Sequence, residues 1–116
     1  MRLLGIEGLV IITDPVWSSP TVAAKIAQLA RAGKLPSAAD LTFPTVGGLL
    51  GFGEDYAAMA RLAARFVDQI LKGAPPGDLG AEHARDYKVA INLKTAKELG
   101  ISIPPTLLAR ADEVIE

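Results

Sequence analysis

Asp14 is the polar side chain best placed to meet a ligand. It follows the apolar run Leu9-Val10-Ile11-Ile12 almost directly, within Thr13-Asp14-Pro15. An acid at a strand end can accept a ligand amine or hydroxyl with charge assistance. Asp-Pro equally starts turns through side-chain to backbone bonds, and both readings stand. Trp17, in the same loop, can stack on an apolar or aromatic solute, or pack on the surface. Ser18-Ser19 lacks the strand-turn-helix setting of a nucleophile and reads as a helix cap.

The glycine-rich run Gly47-Gly48-Leu49-Leu50-Gly51-Phe52-Gly53 invites a phosphate-loop reading, because glycines let backbone N–H groups approach an anion at a helix start. No Lys-Ser/Thr follows it, and Glu54-Asp55 puts two acids where a phosphate would sit. Those acids suit the helix dipole and repel an anion, so the run reads as a tight strand-to-helix crossover. The lone His83 and the absence of Cys argue against a zinc site. No acid–base pair, nucleophile with its base, or metal cage can be assembled, so neither catalysis, a cofactor nor a metal is expected.

Composition narrows the class further. The formal net charge is −1 and the basic residues are scattered from Arg2 to Arg110, which excludes a nucleic-acid footprint. Half of the residues are hydrophobic and 22% are charged, the balance of a globular chain. At 116 residues there is room for one small domain. No stretch approaches the roughly 20 apolar residues that span a bilayer. The N-terminal MRLLGIEGLVIITDP is interrupted by Glu7 and lacks a small-residue cleavage site, so Leu9–Thr13 reads as a core strand and not a signal peptide. As it stands, such a chain is expected to stay in the cytoplasm.

These residues must be positioned by an α/β framework. Leu9–Ile12 is a continuous apolar run, the pattern of a parallel strand buried on both faces. Pro20 starts a helix with Val22, Ala23, Ile26, Ala27, Leu29 and Ala30 inward, and Gly33 ends it. Leu35–Leu41 should hold a strand, but Pro36-Ser37-Ala38-Ala39 buries little area, so it is short or missing. Thr42–Val46 is a loop. The longest helix runs from about Asp55 to Lys72, with Tyr56, Met59, Ala60, Ala63, Phe66, Val67, Ile70 and Leu71 inward. Arg61, Arg65, Asp68 and Lys72 form its wet face, and Gly73 and Pro75-Pro76 close it. Gly77–Arg85 is a polar connector. Tyr87, Val89 and Ile91 alternate with Lys88, Ala90 and Asn92 as a strand with one buried face. Asn92 caps a helix over Leu93–Leu99, ended by Gly100. After Pro104-Pro105 a terminal helix is expected, with Leu107, Leu108, Ala111, Val114 and Ile115 as its apolar stripe. Alternating strands and helices imply a layered fold with a largely parallel sheet.

The last of these stretches also carries a likeness. INLKTAKELGISIPPTLLARADEVIE resembles the C-terminal signature of ABC-type solute-binding proteins, a family with tryptophan- and tyrosine-binding members. The resemblance continues through FVDQILKGAPPGDLG, GGLLGFG and LVIITDP, so it spans nearly the whole chain while covering about the final third of a typical member. It implies a type I-like periplasmic binding protein fold, α/β with a largely parallel sheet flanked by helices. Residues 1–116 would be a single segment equivalent to the C-terminal portion of a two-lobed protein and would contribute to both lobes. It further implies a small organic solute such as an amino acid bound between the lobes, an ABC permease as partner, and an extracytoplasmic location. The family commonly carries a Tyr before the last Gly of the glycine-rich run. Phe52 keeps the aromatic surface there and loses the hydroxyl. The expected ligand-binding residues are Asp14, Pro15, Trp17, Gly51, Phe52 and Gly53. A rival reading is a binding-incompetent stand-alone domain. With strand edges and apolar helix faces uncovered, a homo-oligomer is expected.

Overall fold

A computed structural model describes residues 5–82 and 86–116. Its sheet has five strands in sequential order, β1 (Leu9–Val10), β2 (Ser37–Ala39), β3 (Leu50–Glu54), β4 (Tyr87–Asn92) and β5 (Glu113–Ile115). β1 pairs with β2, β2 with β3 and β4 with β5, all parallel. β3 and β4 run in opposite directions. Asn92, at the end of β4, donates its N–H to Leu49 just before β3. Asp55, just after β3, donates to Asp86 just before β4. The sheet is therefore mixed and mostly parallel.

The chain divides into two compact units, one comprising residues 1–53 and 88–116 and the other residues 54–87. In the first, helix α1 (Pro20–Ala32) buries Ala23, Ala27 and Ala30. Small side chains at this helical spacing let the helix approach closely. Phe43 fills the space beneath, 1% exposed, from a 3-10 turn over Phe43–Val46. With Ala23 and Ala27 it forms the core, and Ile11, Ile26, Ala39 and Val46 pack around it. The stretch expected to be a plain loop is thus a buried turn. Leu29, expected inward, is exposed because it points away from this core. Ser19 stands at the N-cap of α1, yet its hydroxyl donates to the Val16 carbonyl and not back from the helix.

The short β2 agrees with its run of small residues. β1 differs from expectation. Leu9 and Ile11 are half-buried, while Val10 is 79% and Ile12 83% exposed. As an edge strand with α1 on one side only, β1 is covered on one face and not both. By register Val10, Ala38 and Leu50 share the other face, and Ile12 and Phe52 continue it two residues along.

From β4 to Gly100 the expected strand, cap, helix and turn all form. Ala90, Ile91 and Asn92 are buried, and Asn92 accepts the Thr95 N–H at 2.8 Å to cap α3 (Leu93–Leu99). Gly100 takes φ 74°, the left-handed turn that closes the helix. Burial on β4 does not alternate, since Tyr87 is exposed and Ala90 is not. Its C-terminal half, Ala90 to Asn92, is buried throughout.

The C-terminus is the largest departure. Helix α4 spans only Pro105–Leu108, and Glu113–Ile115 forms β5 instead of a helical stripe. Asp112 decides this. Its N–H donates to the Val89 carbonyl and its carboxylate accepts the Val89 N–H, both at 2.8 Å. This two-point clamp starts the β4–β5 ladder, and a ladder satisfies backbone groups that an isolated terminal helix leaves to water. Val114 is 40% exposed and Ile115 half-buried.

The second unit holds helix α2 (Tyr56–Leu71). Asp55 caps it, its Oδ1 accepting the N–H groups of Ala57 and Ala58. Lys72 and Asp68 pair at 2.8 Å and Arg65 and Glu82 at 3.3 Å. The helix buries none of its side chains, and Tyr56, Met59, Val67, Ile70 and Leu71 of the expected inward face are exposed. Among its described residues the unit adds to this helix only a short 3-10 turn at Pro76–Asp78. His83 and Arg85 lie outside the described residues.

Asn92 is buried and spans two segments, its Nδ2 donating to the Pro44 carbonyl at 2.8 Å. Asn92→Ala removes the helix cap and one of the two hydrogen bonds that the buried Pro44 carbonyl accepts, the other coming from the Gly47 N–H. It should cost about 1–3 kcal/mol, read from urea unfolding midpoints. A loss below about 0.5 kcal/mol would show that these bonds do not hold the fold.

Candidate functional site at the carboxyl ends of the strands

β1, β2 and β3 point the same way, so the segments that follow them emerge along one edge of the sheet. In open α/β folds ligands bind beyond that edge. After β1, Asp14 accepts the Val16 N–H through Oδ1 at 2.8 Å, and its carbonyl accepts the Ser18 N–H at 2.9 Å. One carboxylate oxygen thereby makes the turn that sequence reasoning offered as one of two roles. Pro15 is exposed, and Trp17 is half exposed in the same turn.

The glycine-rich stretch is split by the pleat of β3. Gly51 is buried, and a Cβ built on it would lie 2.7 Å from Pro44 Cδ, 2.8 Å from the Asp40 carbonyl oxygen and 2.9 Å from that of Leu41. Phe52 points to the opposite, open face and is 53% exposed. Gly53 is half-buried, and a Cβ built on it would lie 3.6 Å from the Leu41 nitrogen, an ordinary van der Waals distance. Asp14, Trp17 and Phe52 thus present accessible surface along the same edge, whereas Gly51 serves packing against the 3-10 turn.

Asp40, immediately after β2, was not singled out from the sequence. Its Oδ1 accepts the Thr42 N–H at 3.0 Å and the Thr42 hydroxyl at 2.7 Å. Partial burial works to raise its pKa. Hydrogen bonds from the Ser18 side chain, from Thr42 and from the Phe43 backbone outweigh that and hold the carboxyl below its ordinary value. The signal in the sequence was Asp40-Leu41-Thr42-Phe43-Pro44, an acid two residues before a hydroxyl and four before a proline, which is turn chemistry. Its reach to Ser18 is long-range and has no signature in sequence.

The sequence matches the family described as ABC transporter substrate binding protein over residues 5–115. The chain belongs to that family. No curated protein matches it. Among solved structures it is similar to a domain from Streptococcus pneumonia determined in complex with L-Trp, at 27% identity and TM-score 0.82. That match covers 98% of this chain and 38% of the other. A conserved domain protein from Vibrio cholerae is equally similar, at 27% identity and TM-score 0.82 over 93% of this chain and 36% of that one. A ligand-free, open substrate binding protein with adhesive properties from Clostridium difficile shares the fold, at 20% identity and TM-score 0.68 over 92% and 36%. The chain spans a little over a third of the length of these structures. The fold is the α/β architecture of a periplasmic binding protein fragment. Among the described residues no helix is long and apolar enough to cross a membrane.

Gly51 and Gly53 respond differently to a methyl group. Gly51→Ala must displace backbone or Pro44 and should cost about 1–3 kcal/mol. Gly53→Ala meets no close neighbour and should stay within about 0.5 kcal/mol of the parent in thermal or urea melts. Equal effects at both positions would refute the packing role of Gly51.

Proposed function

We propose that this chain is the C-terminal part of a solute-binding component of an ABC-type uptake system. The supporting observation is the family match over residues 5–115, joined to the likeness with a domain solved with L-Trp. In this reading the solute is a small organic molecule, an amino acid by analogy, held in an interlobe cleft. The role is capture and not catalysis. It takes place outside the cytoplasmic membrane, with an ABC permease as recipient.

The chemistry at the strand ends suits that role. The Asp14 oxygen not engaged by Val16 accepts a solute ammonium with charge assistance. Trp17 and Phe52 offer aromatic faces for an apolar or aromatic side chain, and Pro15 and Gly53 shape the backbone between them. In this reading the solute favours the population in which the lobes of the whole protein are closed. The exposed Val10 and Ile12 fit the same picture. A continuous apolar run is the pattern of a strand covered on both faces, and relatives are nearly three times as long.

Those exposed side chains also favour a second reading for the 116-residue chain by itself, in which its edge strand and apolar faces associate with another copy.

L-Tryptophan and other amino acids titrated calorimetrically into the whole protein carrying this chain should show saturable binding. Asp14→Ala and Phe52→Ala should each weaken the best solute about tenfold or more, equivalent to 1.4 kcal/mol. Undiminished affinity in both variants would move the site away from this edge. Light scattering of the 116-residue chain tests the second reading, with a dimer or larger species expected and a clean monomer against it.

A further inference from the structure

We propose that the exposed apolar stripe of α2 is a self-association face, on which the same stripe of a second copy of this chain lies antiparallel. The stripe runs through Tyr56, Met59, Ala60, Ala63, Val67 and Ile70, all exposed, on a helix that buries none of its side chains. On a helix of 3.6 residues per turn these positions share one face about 100° wide. Arg61, Arg65, Asp68 and Lys72 lie on the far side, where Arg65 pairs with Glu82 and Asp68 with Lys72 inside the copy. The flanking Ala57, Leu62, Ala64 and Gln69 carry no charge. An interface on this stripe therefore takes no ion out of water. The helix that presents it is held at its start by Asp55, whose Oδ1 accepts two N–H groups at 2.9 and 3.1 Å.

The symmetry of the stripe singles out a second copy as its occupant. Ala60, Met59 and Tyr56 stand three, four and seven positions before Ala63, and Phe66, Val67 and Ile70 stand the same distances after it. Two antiparallel copies crossing at Ala63 set each half of the stripe against the other half of its partner, as a two-fold contact requires. The small side chain at the crossing lets the axes come within roughly 8–10 Å. Larger side chains fill the ends, where the helices diverge. The exposed large side chains and the alanines between them offer on the order of 500 Å² per copy. That is below the roughly 800 Å² per partner of a standard interface and in the range of weak, transient pairs. The dimer is therefore reversible and grows with concentration. The pairing rests on the second reading above, in which apolar faces of the chain associate, and assigns that association to one face.

The chain has no Cys, so a single introduced thiol reports the contact. Ala63→Cys puts that thiol on the two-fold, and Arg61→Cys puts one on the far face of the same helix. A disulfide needs Cα atoms about 4.4–6.8 Å apart, so under mild oxidation Ala63→Cys should give linked dimer about tenfold faster or more than Arg61→Cys. Val67→Glu places a charge in the stripe. It should shift light scattering of the 116-residue chain toward monomer, with the helical far-UV signal unchanged. Equal linking rates at the two positions in a chain that still dimerises overturn this pairing and leave the second reading standing. A dimer that survives Val67→Glu does the same. A chain that is monomeric at every concentration overturns both, and assigns the stripe to another part of a longer protein. If Val67→Glu loses its helical signal, the Ala63→Cys and Arg61→Cys comparison decides alone.

Discussion

The amide of Asn92 joins segments that are far apart in the chain. Its backbone N–H reaches Leu49, its Nδ2 reaches Pro44, and its Oδ1 caps α3 through Thr95. Thr95 then donates its hydroxyl to the Gly47 carbonyl, which also accepts from Arg31 of α1. Apart from the α3 cap itself, every bond in this set ties the segment from Pro44 to Leu49 to α1, α3 or β4. That segment carries Phe43 into the core at one end and starts β3 at the other. Without it neither the ring that fills the space under α1 nor the register of β3 would be fixed. An amide suits the position because it donates and accepts at once, and buried polar groups are tolerated only when so satisfied.

What the sequence revealed and what it hid divide along local and long-range lines. The strand, cap, helix and glycine stop from Tyr87 to Gly100 were legible because each depends on neighbours within a few positions. So were the start of α2 near Asp55 and the weakness of β2, whose alanines bury little. The C-terminal strand was not legible. Leu107, Leu108, Ala111, Val114 and Ile115 have helical spacing, and the competing ladder depends on Asp112 meeting Val89 across 23 positions. The apolar runs of β1 and α2 imply burial on both faces of the first and along one stripe of the second, yet β1 is covered on one face and α2 buries no side chain. Periodicity reports which face can be buried, and the partner that buries it is a tertiary fact. At the site, Asp14, Trp17 and Phe52 emerged from their place after strands. Gly51 is a packing residue, set against Pro44 and the Asp40 and Leu41 carbonyls that only the fold brings to it.

The fold then limits what the site can be. One side of the parallel strands is closed by α1 and the 3-10 turn, leaving the carboxyl-end loops and the Phe52 face open. The loop after β1 carries Asp14 and Trp17, and Phe52 of β3 lies on the open face that leads to the same edge. In the role proposed above, this edge holds the solute. A binding edge works only if its loops keep their geometry between encounters. The bonds from Asn92 and from Asp40 act at the same turn from opposite ends, Pro44 on one side and Thr42 on the other.

Amide hydrogen exchange on the 116-residue chain tests most directly whether the Asn92 network is what the structure depends on. The amides of Asn92 and Thr95 should exchange only by global opening, about 100-fold or more slowly than those of Ala63 and Phe66 in α2, which has no buried side chain and opens locally. Equal protection across α2 and the Asn92–Thr95 segment, or faster exchange at Thr95, would contradict the account.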